Sequence, residues 1–83
     1  MNIYLISQDE NNDYDTYDSA VVIAKDEHAA RLTKPGGVRA GEVWNGTDDQ
    51  YSSWTDAKNV TVKFIGVSLS HEPGIVCASF NAG

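Results

Sequence analysis

Four runs of apolar residues alternate with polar, acidic or glycine-containing segments along the chain. The runs are short and rich in β-branched and aromatic residues, a pattern that is typical of strands. They cover residues 2–7, 17–24, 59–69 and 74–80. The second run is apolar on both faces, which predicts a central position in a sheet.

The last two runs predict a hairpin, because only the turn-forming sequence SHEPG lies between them. In the third run, Gly66 interrupts the alternation of apolar and polar residues and permits a β-bulge. In the fourth run, simple alternation places Ile75 and Cys77 on the same face. A lone cysteine within such an apolar run is most simply a small buried thiol.

Residues 25–34 have the pattern of an amphipathic helix. Asp26 is the predicted N-cap, and Glu27 lies where a helix favours negative charge. The sequence Pro-Gly-Gly at positions 35–37 ends the helix. A helix of about ten residues is marginal in water, so it must pack on the sheet.

Residues 38–59 show no sustained periodicity and leave two interpretations open. The segment is either a long loop or a hairpin of GEVW and YSSW around the turn-forming NGTDD. A structureless loop of about 20 residues is unusual in a small domain. We therefore expect partial order in this segment.

The order of elements predicts an α+β fold in a single domain that spans residues 1–83. The expected architecture is a mainly antiparallel sheet of four to five strands with one short helix packed on one face. The chain has 83 residues, which leaves room for one modest hydrophobic core.

Twelve acidic and six basic residues give a formal charge of −6. This balance argues against direct binding of nucleic acid or of an anionic membrane, which requires a basic surface. It suits a partner with a basic surface. The single cysteine fits a reducing compartment, and neither a membrane span nor a signal peptide is recognisable. These features predict residence in the cytoplasm.

The sequence DENNDYDTYD at residues 9–18 is the most acidic part of the chain. It fails as a calcium loop, because position 6 is Tyr14 instead of glycine and position 12 is Ala20 instead of glutamate. It is either a solvated connection between strands or an interaction surface. In the second case the carboxylates steer the partner and Tyr14 and Tyr17 add contact area.

A second group of aromatic residues lies in the irregular segment. Trp44 and Trp54 either fill the open side of a small core or form a binding patch with Asp48 and Asp49. Both interpretations fit the sequence, because bulky aromatic side chains serve cores and interface hot spots alike.

No set of residues predicts catalysis, a metal ion or a cofactor. His28 and His71 lack ligand spacing, and pairing either with Cys77 as a nucleophile conflicts with the position of Cys77 in an apolar run. The sequence KPGGVRAGE matches no phosphate-binding loop. We predict that the protein is not an enzyme.

The opening YLISQDENNDYDTYDSAVVIA, the central DEHAARL and the closing ASFNAG resemble a group of small proteins carried by phages, prophages and their bacterial hosts. In size, charge and lack of catalytic residues the chain also resembles phage inhibitors of host defence, such as anti-CRISPR proteins. The resemblance implies a function in a host cell and assigns no site residue.

The favoured prediction is a small acidic binding protein, encoded by a phage, that inhibits a host nucleic-acid-handling defence protein by occupying its basic surface. The predicted contact residues are Asp9, Glu10, Asp13, Tyr14, Asp15, Tyr17, Asp18, Trp44, Asp48, Asp49 and Trp54. Two alternatives remain. The exposed edge of the sheet pairs with a second copy in a homo-oligomer, or a nucleotide binds to Arg31, Lys34 and Arg39.

Overall fold

The computed structural model describes residues 1–12, 14–37, 44–47 and 53–81. Within these ranges the chain forms four strands, one α-helix and one short 3-10 helix. The strands are β1 (Asn2–Ser7), β2 (Thr16–Ala24), β3 (Thr61–Val67) and β4 (Gly74–Asn81), the α-helix α1 is Glu27–Arg31, and the 3-10 helix is Ala57–Asn59. The α+β class is confirmed as a small antiparallel sheet with one short helix.

The four strands form one sheet in the order β3-β1-β2-β4. β1 and β2 are antiparallel neighbours in the middle, with Ile3 opposite Ile23 and Ile6 opposite Ala20. The central position predicted for the second apolar run is therefore confirmed. One face of β2 is buried at Val22 and Ala24, and the other face is half-buried at Val21 and Ile23.

The predicted hairpin of the last two runs is wrong. β3 pairs with β1 and β4 pairs with β2, so these strands lie at opposite edges of the sheet. β1 and β2 already occupy the centre, and each later strand adds to a remaining edge. The connecting segment, residues 68–73, crosses the end of the sheet next to Met1, whose carbonyl accepts a 2.8 Å hydrogen bond from the Ser68 amide.

The bulge predicted at Gly66 is confirmed. In the β1–β3 ladder Ile3 lies opposite Gly66 and Tyr4 opposite Phe64, which leaves Ile65 as the extra residue. The rings of Tyr4 and Phe64 meet edge to face, with centroids 5.8 Å apart. Phe64 faces the same side as Val62 by simple alternation, and the bulge changes the facing of Gly66 and Val67, which follow it.

A second bulge overturns the predicted facing of β4. Val21 lies opposite Cys77 and Val22 opposite Ile75, so Val76 is the extra residue. Because side chains alternate along a strand, this insertion places Ile75 and Cys77 on opposite faces, where simple alternation predicted the same face.

One face of the sheet carries the hydrophobic core. Ile6 and Val22 are fully buried there, and Trp54 is 1% exposed. The complete buried cluster is Tyr4, Ile6, Ala20, Val22, Ala24, Ala30, Trp44, Trp54 and Val60. The central strands thus bury one face beneath α1 and the two tryptophan-bearing segments.

The helix is shorter than predicted. Its N-cap is Asp26 as expected, and the Asp26 carboxylate accepts a 2.8 Å hydrogen bond from the Ala29 amide. α1 ends at Arg31 with Leu32 as its C-cap, and Pro35 disfavours helical geometry in Lys34, the residue before the proline. The Thr33 hydroxyl also donates back to the Ala29 carbonyl at 2.9 Å, which competes with continued helix.

Most of the proposed GEVW–YSSW hairpin lies outside the described residues. The described parts of that region carry Trp44 and Trp54 into the core and include the 3-10 helix. Within the described ranges, no helix has the length and apolar character needed to cross a membrane.

Candidate functional site

The acidic loop is defined here as residues 9–18. The side chain of Gln8 forms hydrogen bonds to the backbone of this loop. This side chain is buried, at 7% exposure. The amide nitrogen Nε2 donates to the carbonyls of Asn11 and Tyr17, both at 2.8 Å. The oxygen Oε1 accepts from the amides of Glu10 at 2.9 Å and Asn11 at 2.8 Å. One side chain thus satisfies four backbone groups and closes the loop on itself.

The acidic loop is also attached to two neighbouring segments. The Asn11 side-chain amide donates to the Trp54 carbonyl at 2.9 Å. The Asp15 amide donates to the Asn81 carbonyl of β4 at 2.6 Å. Asp15 has a φ of 62°, in the left-handed region that Asp and Asn tolerate better than most residues. The loop therefore has a defined shape that depends on both the core and β4.

The described carboxylates of the loop point to solvent. Asp9, Glu10, Asp15 and Asp18 are all exposed, whereas Asp13 lies outside the described residues. Across the described ranges, the ion pair found joins Glu27 and Arg31 and involves none of these four. The loop therefore presents negative charge that no base within those ranges neutralises through an ion pair.

The two tyrosines of the loop occupy different environments. Tyr14 is 75% exposed and is available to a partner. Tyr17 is half-buried and packs on Phe80, with ring centroids 4.8 Å apart. The cause is a bulge at Asp18 in the β2–β4 ladder, which rotates Tyr17 towards the core side. Tyr17 thus serves mainly the fold, contrary to its predicted role in contacting a partner.

Trp44 and Trp54 fill the core, at 9% and 1% exposure. The Trp44 indole also donates to the Thr47 carbonyl at 3.1 Å. The prediction that both rings contact a partner is therefore wrong, and the alternative that they close a small core is confirmed. Asp48 and Asp49, the acids predicted beside them, lie outside the described residues.

Of the basic residues proposed for a nucleotide, Arg31 is engaged in contacts within the fold. The Arg31 guanidinium donates to the carbonyls of Val60 and Ala57 and pairs with Glu27 at 3.3 Å. These contacts fasten α1 to the segment before β3. Arg39 lies outside the described residues, so the structure gives no distance from Arg39 to Arg31 or Lys34.

Cys77 is exposed, and the prediction of a buried thiol is wrong. It lies opposite Val21, on the face of the sheet that α1 does not cover. There it borders a shallow depression of about 180 Å³ with Leu5, Ser19 and Ser79. Within the described ranges, no three His, Cys, Asp or Glu residues cluster in a way that could hold a metal ion.

The sequence patterns missed two features of this surface. Gln8 gave no signal, because a polar residue after a strand is ordinary. The exposure of β4 was hidden because an apolar run looks the same in a central strand and at an edge. Charge gave no signal of exposure either, because residues 73–83 contain no Asp, Glu, Lys, Arg or His, and an uncharged run usually indicates burial.

Comparisons of the chain with protein-family models, with curated proteins and with solved structures found no match. The site must therefore be interpreted from its own geometry.

Proposed function

We propose that the protein is a small acidic, non-enzymatic binding protein whose acidic loop contacts a basic surface on a partner protein. The observation that carries this proposal is the loop itself, in which four exposed carboxylates are held in a fixed arrangement by the buried Gln8 amide. A preorganised loop loses little conformational entropy on binding. Exposed Tyr14 adds apolar contact area beside the charges.

The favoured partner is a host protein whose basic surface normally holds nucleic acid. Carboxylates spaced along a fixed loop offer such a surface the charge that phosphates otherwise supply. The formal charge of −6 raises the rate of encounter with a cationic surface. Together with the resemblance to phage inhibitors, this supports inhibition of a host defence protein, in the manner of an anti-CRISPR protein, within the host cytoplasm.

The mechanism is steric and electrostatic occupation of the partner's surface. Exposed charge pairs are screened by salt, so affinity falls as ionic strength rises. Purification of a tagged protein from bacterial lysate, washed first at low and then at high salt, identifies the partner by mass spectrometry. We expect a nucleic-acid-handling protein that is retained at low salt and lost at high salt.

Conversion of the five loop acids Asp9, Glu10, Asp13, Asp15 and Asp18 to their amides is expected to weaken binding to that partner. At about 0.4 kcal/mol for each exposed pair, the loss is about 2 kcal/mol, or roughly 30-fold in Kd. Titration calorimetry measures the affinity, and circular dichroism checks the fold.

A charge-matched control separates the loop from the net charge. The pairs Glu10→Gln/Asp18→Asn and Glu27→Gln/Glu72→Gln both change the formal charge from −6 to −4, since each removes two acids. Only the substitutions at Glu10 and Asp18 lie in the acidic loop, so only this double variant is expected to bind the partner more weakly. Equal losses in both pairs, or unchanged binding of the five-amide variant, would contradict a contact through this loop.

A further inference from the structure

β4 is a long edge strand that is open to solvent. All eight of its residues are exposed, including Ile75 at 40%, Val76 at 58% and Phe80 at 48%. β4 pairs with β2, and no other strand within the described residues pairs with it. An exposed, apolar edge of this length is a template for pairing with another strand.

Charge distinguishes β4 from the other edge strand, β3. A charged residue and a proline are two common protections of an edge strand. β4 contains neither, and its one irregularity is the bulge at Val76. The other edge strand, β3, carries Lys63 as the third of its seven residues. The chain has twelve acidic residues, yet this edge strand, which another strand can approach, carries no charge.

We propose that β4 pairs in antiparallel orientation with β4 of a second copy of this chain, which extends the sheet from four strands to eight. A basic partner segment would find no carboxylate on this strand, so it gains nothing from the charge of the protein. A second copy presents an equally neutral strand, and its acids lie elsewhere. A twofold axis lets the same surface serve both copies.

Symmetry restricts the register of this pairing. Directly opposed residues of antiparallel strands share a face, so a twofold axis normal to the sheet sets one residue opposite its own copy. The bulge at Val76 limits the paired segment, because Ile75 lies on the face opposite to Cys77, Ser79 and Asn81. Centring on Ala78 pairs residues 76–80, and Val76 then faces Phe80 of the second copy, a favourable β-branched and aromatic pair.

The contact is small, and its strength must depend on salt. Five paired residues at about 3.4 Å each give a contact about 17 Å long, which is too short to bury the roughly 1,600 Å² of a standard interface. We therefore expect a reversible dimer. Each copy has a charge of −6, so salt screens the repulsion between copies and strengthens the dimer. Binding through the acidic loop responds to salt in the opposite direction.

Sedimentation velocity of the purified chain alone tests the proposal, over a concentration series that reaches about 1 mM. The wild type is expected to shift from monomer to dimer, at lower concentration when salt is added. Val76→Lys places two charges at the twofold contact, and the dimer is expected to weaken at least tenfold. Val67→Lys is the matched control, because Val67 is 72% exposed on the opposite edge strand, and it should dimerise like the wild type.

Three results would overturn the proposal. They are a wild type that stays monomeric throughout the series, a Val76→Lys dimer of wild-type strength, and loss of the dimer in Val67→Lys alone. Ser79→Lys, on the same strand, replaces Val76→Lys if circular dichroism shows that the latter is unfolded. No partner is present, so failure here leaves the proposed function intact. A five-amide variant that no longer binds the partner but still dimerises would show that dimerisation does not depend on the acidic loop.

Discussion

Replacement of Trp54 by alanine is expected to lower the free energy of unfolding by about 3–5 kcal/mol, the usual range for a buried aromatic side chain. The indole is 1% exposed and is among the largest fully buried side chains. A domain of 83 residues has a total stability of about 4–12 kcal/mol. The loss is therefore a large fraction of the stability of the domain.

Urea denaturation followed by far-ultraviolet circular dichroism measures this loss. Tyr14→Ala is the control, because it also removes an aromatic ring but at a side chain that is 75% exposed. Its stability should remain within about 0.5 kcal/mol of the wild type. Similar midpoints for Trp54→Ala and the wild type would contradict a core role for Trp54.

Replacement of Gln8 by alanine is expected to cost about 2–4 kcal/mol. The side chain makes four hydrogen bonds to backbone groups, each worth about 1 kcal/mol when its loss leaves a partly buried group without a partner. The same denaturation experiment measures the change. The acidic loop should lose its fixed shape as well, so affinity for the partner should fall even though no charge is removed.

Asn12→Ala provides the control within the same loop. Asn12 is exposed and donates one hydrogen bond of 3.3 Å to the Asp9 carbonyl, so both stability and partner affinity should stay near the wild type. A Gln8→Ala variant with wild-type stability would show that the loop does not depend on the buried amide. Lost stability with unchanged affinity would show that binding does not require a preordered loop.

The local patterns predicted the elements well, because period and capping act over a few residues. β1 matches its predicted bounds, β2 and β4 each differ by one residue at one end, and Asp26 caps α1 as expected. The pairing of β3 with β1 was not predictable in this way. A turn sequence shows that the chain reverses direction, but not whether the next strand lies beside the last one or at the far edge of the sheet.

The candidate site was predictable only in part. Charge and side-chain type marked the acidic loop, and the described acids are indeed exposed. The bulges at Asp18 and Val76 were not recognisable from the sequence, because any residue can be the inserted one. These insertions decide that Tyr17 packs on Phe80 and that Ile75 and Cys77 face opposite ways. The burial of Trp44 and Trp54 depended on tertiary contacts that composition does not encode.

The position of β4 gives the native state a route to partial opening. Within the described residues β4 pairs with β2, and the residues of β4 are exposed. Detachment of β4 therefore breaks fewer packing contacts than unfolding of the core does. We therefore expect local opening to begin with β4 and to produce a minor three-stranded form. In that form the Asp15 amide loses the Asn81 carbonyl and the Tyr17 ring loses Phe80. Local unfolding of the last strand thus loosens the acidic loop, and the two exposed surfaces of the molecule share one equilibrium.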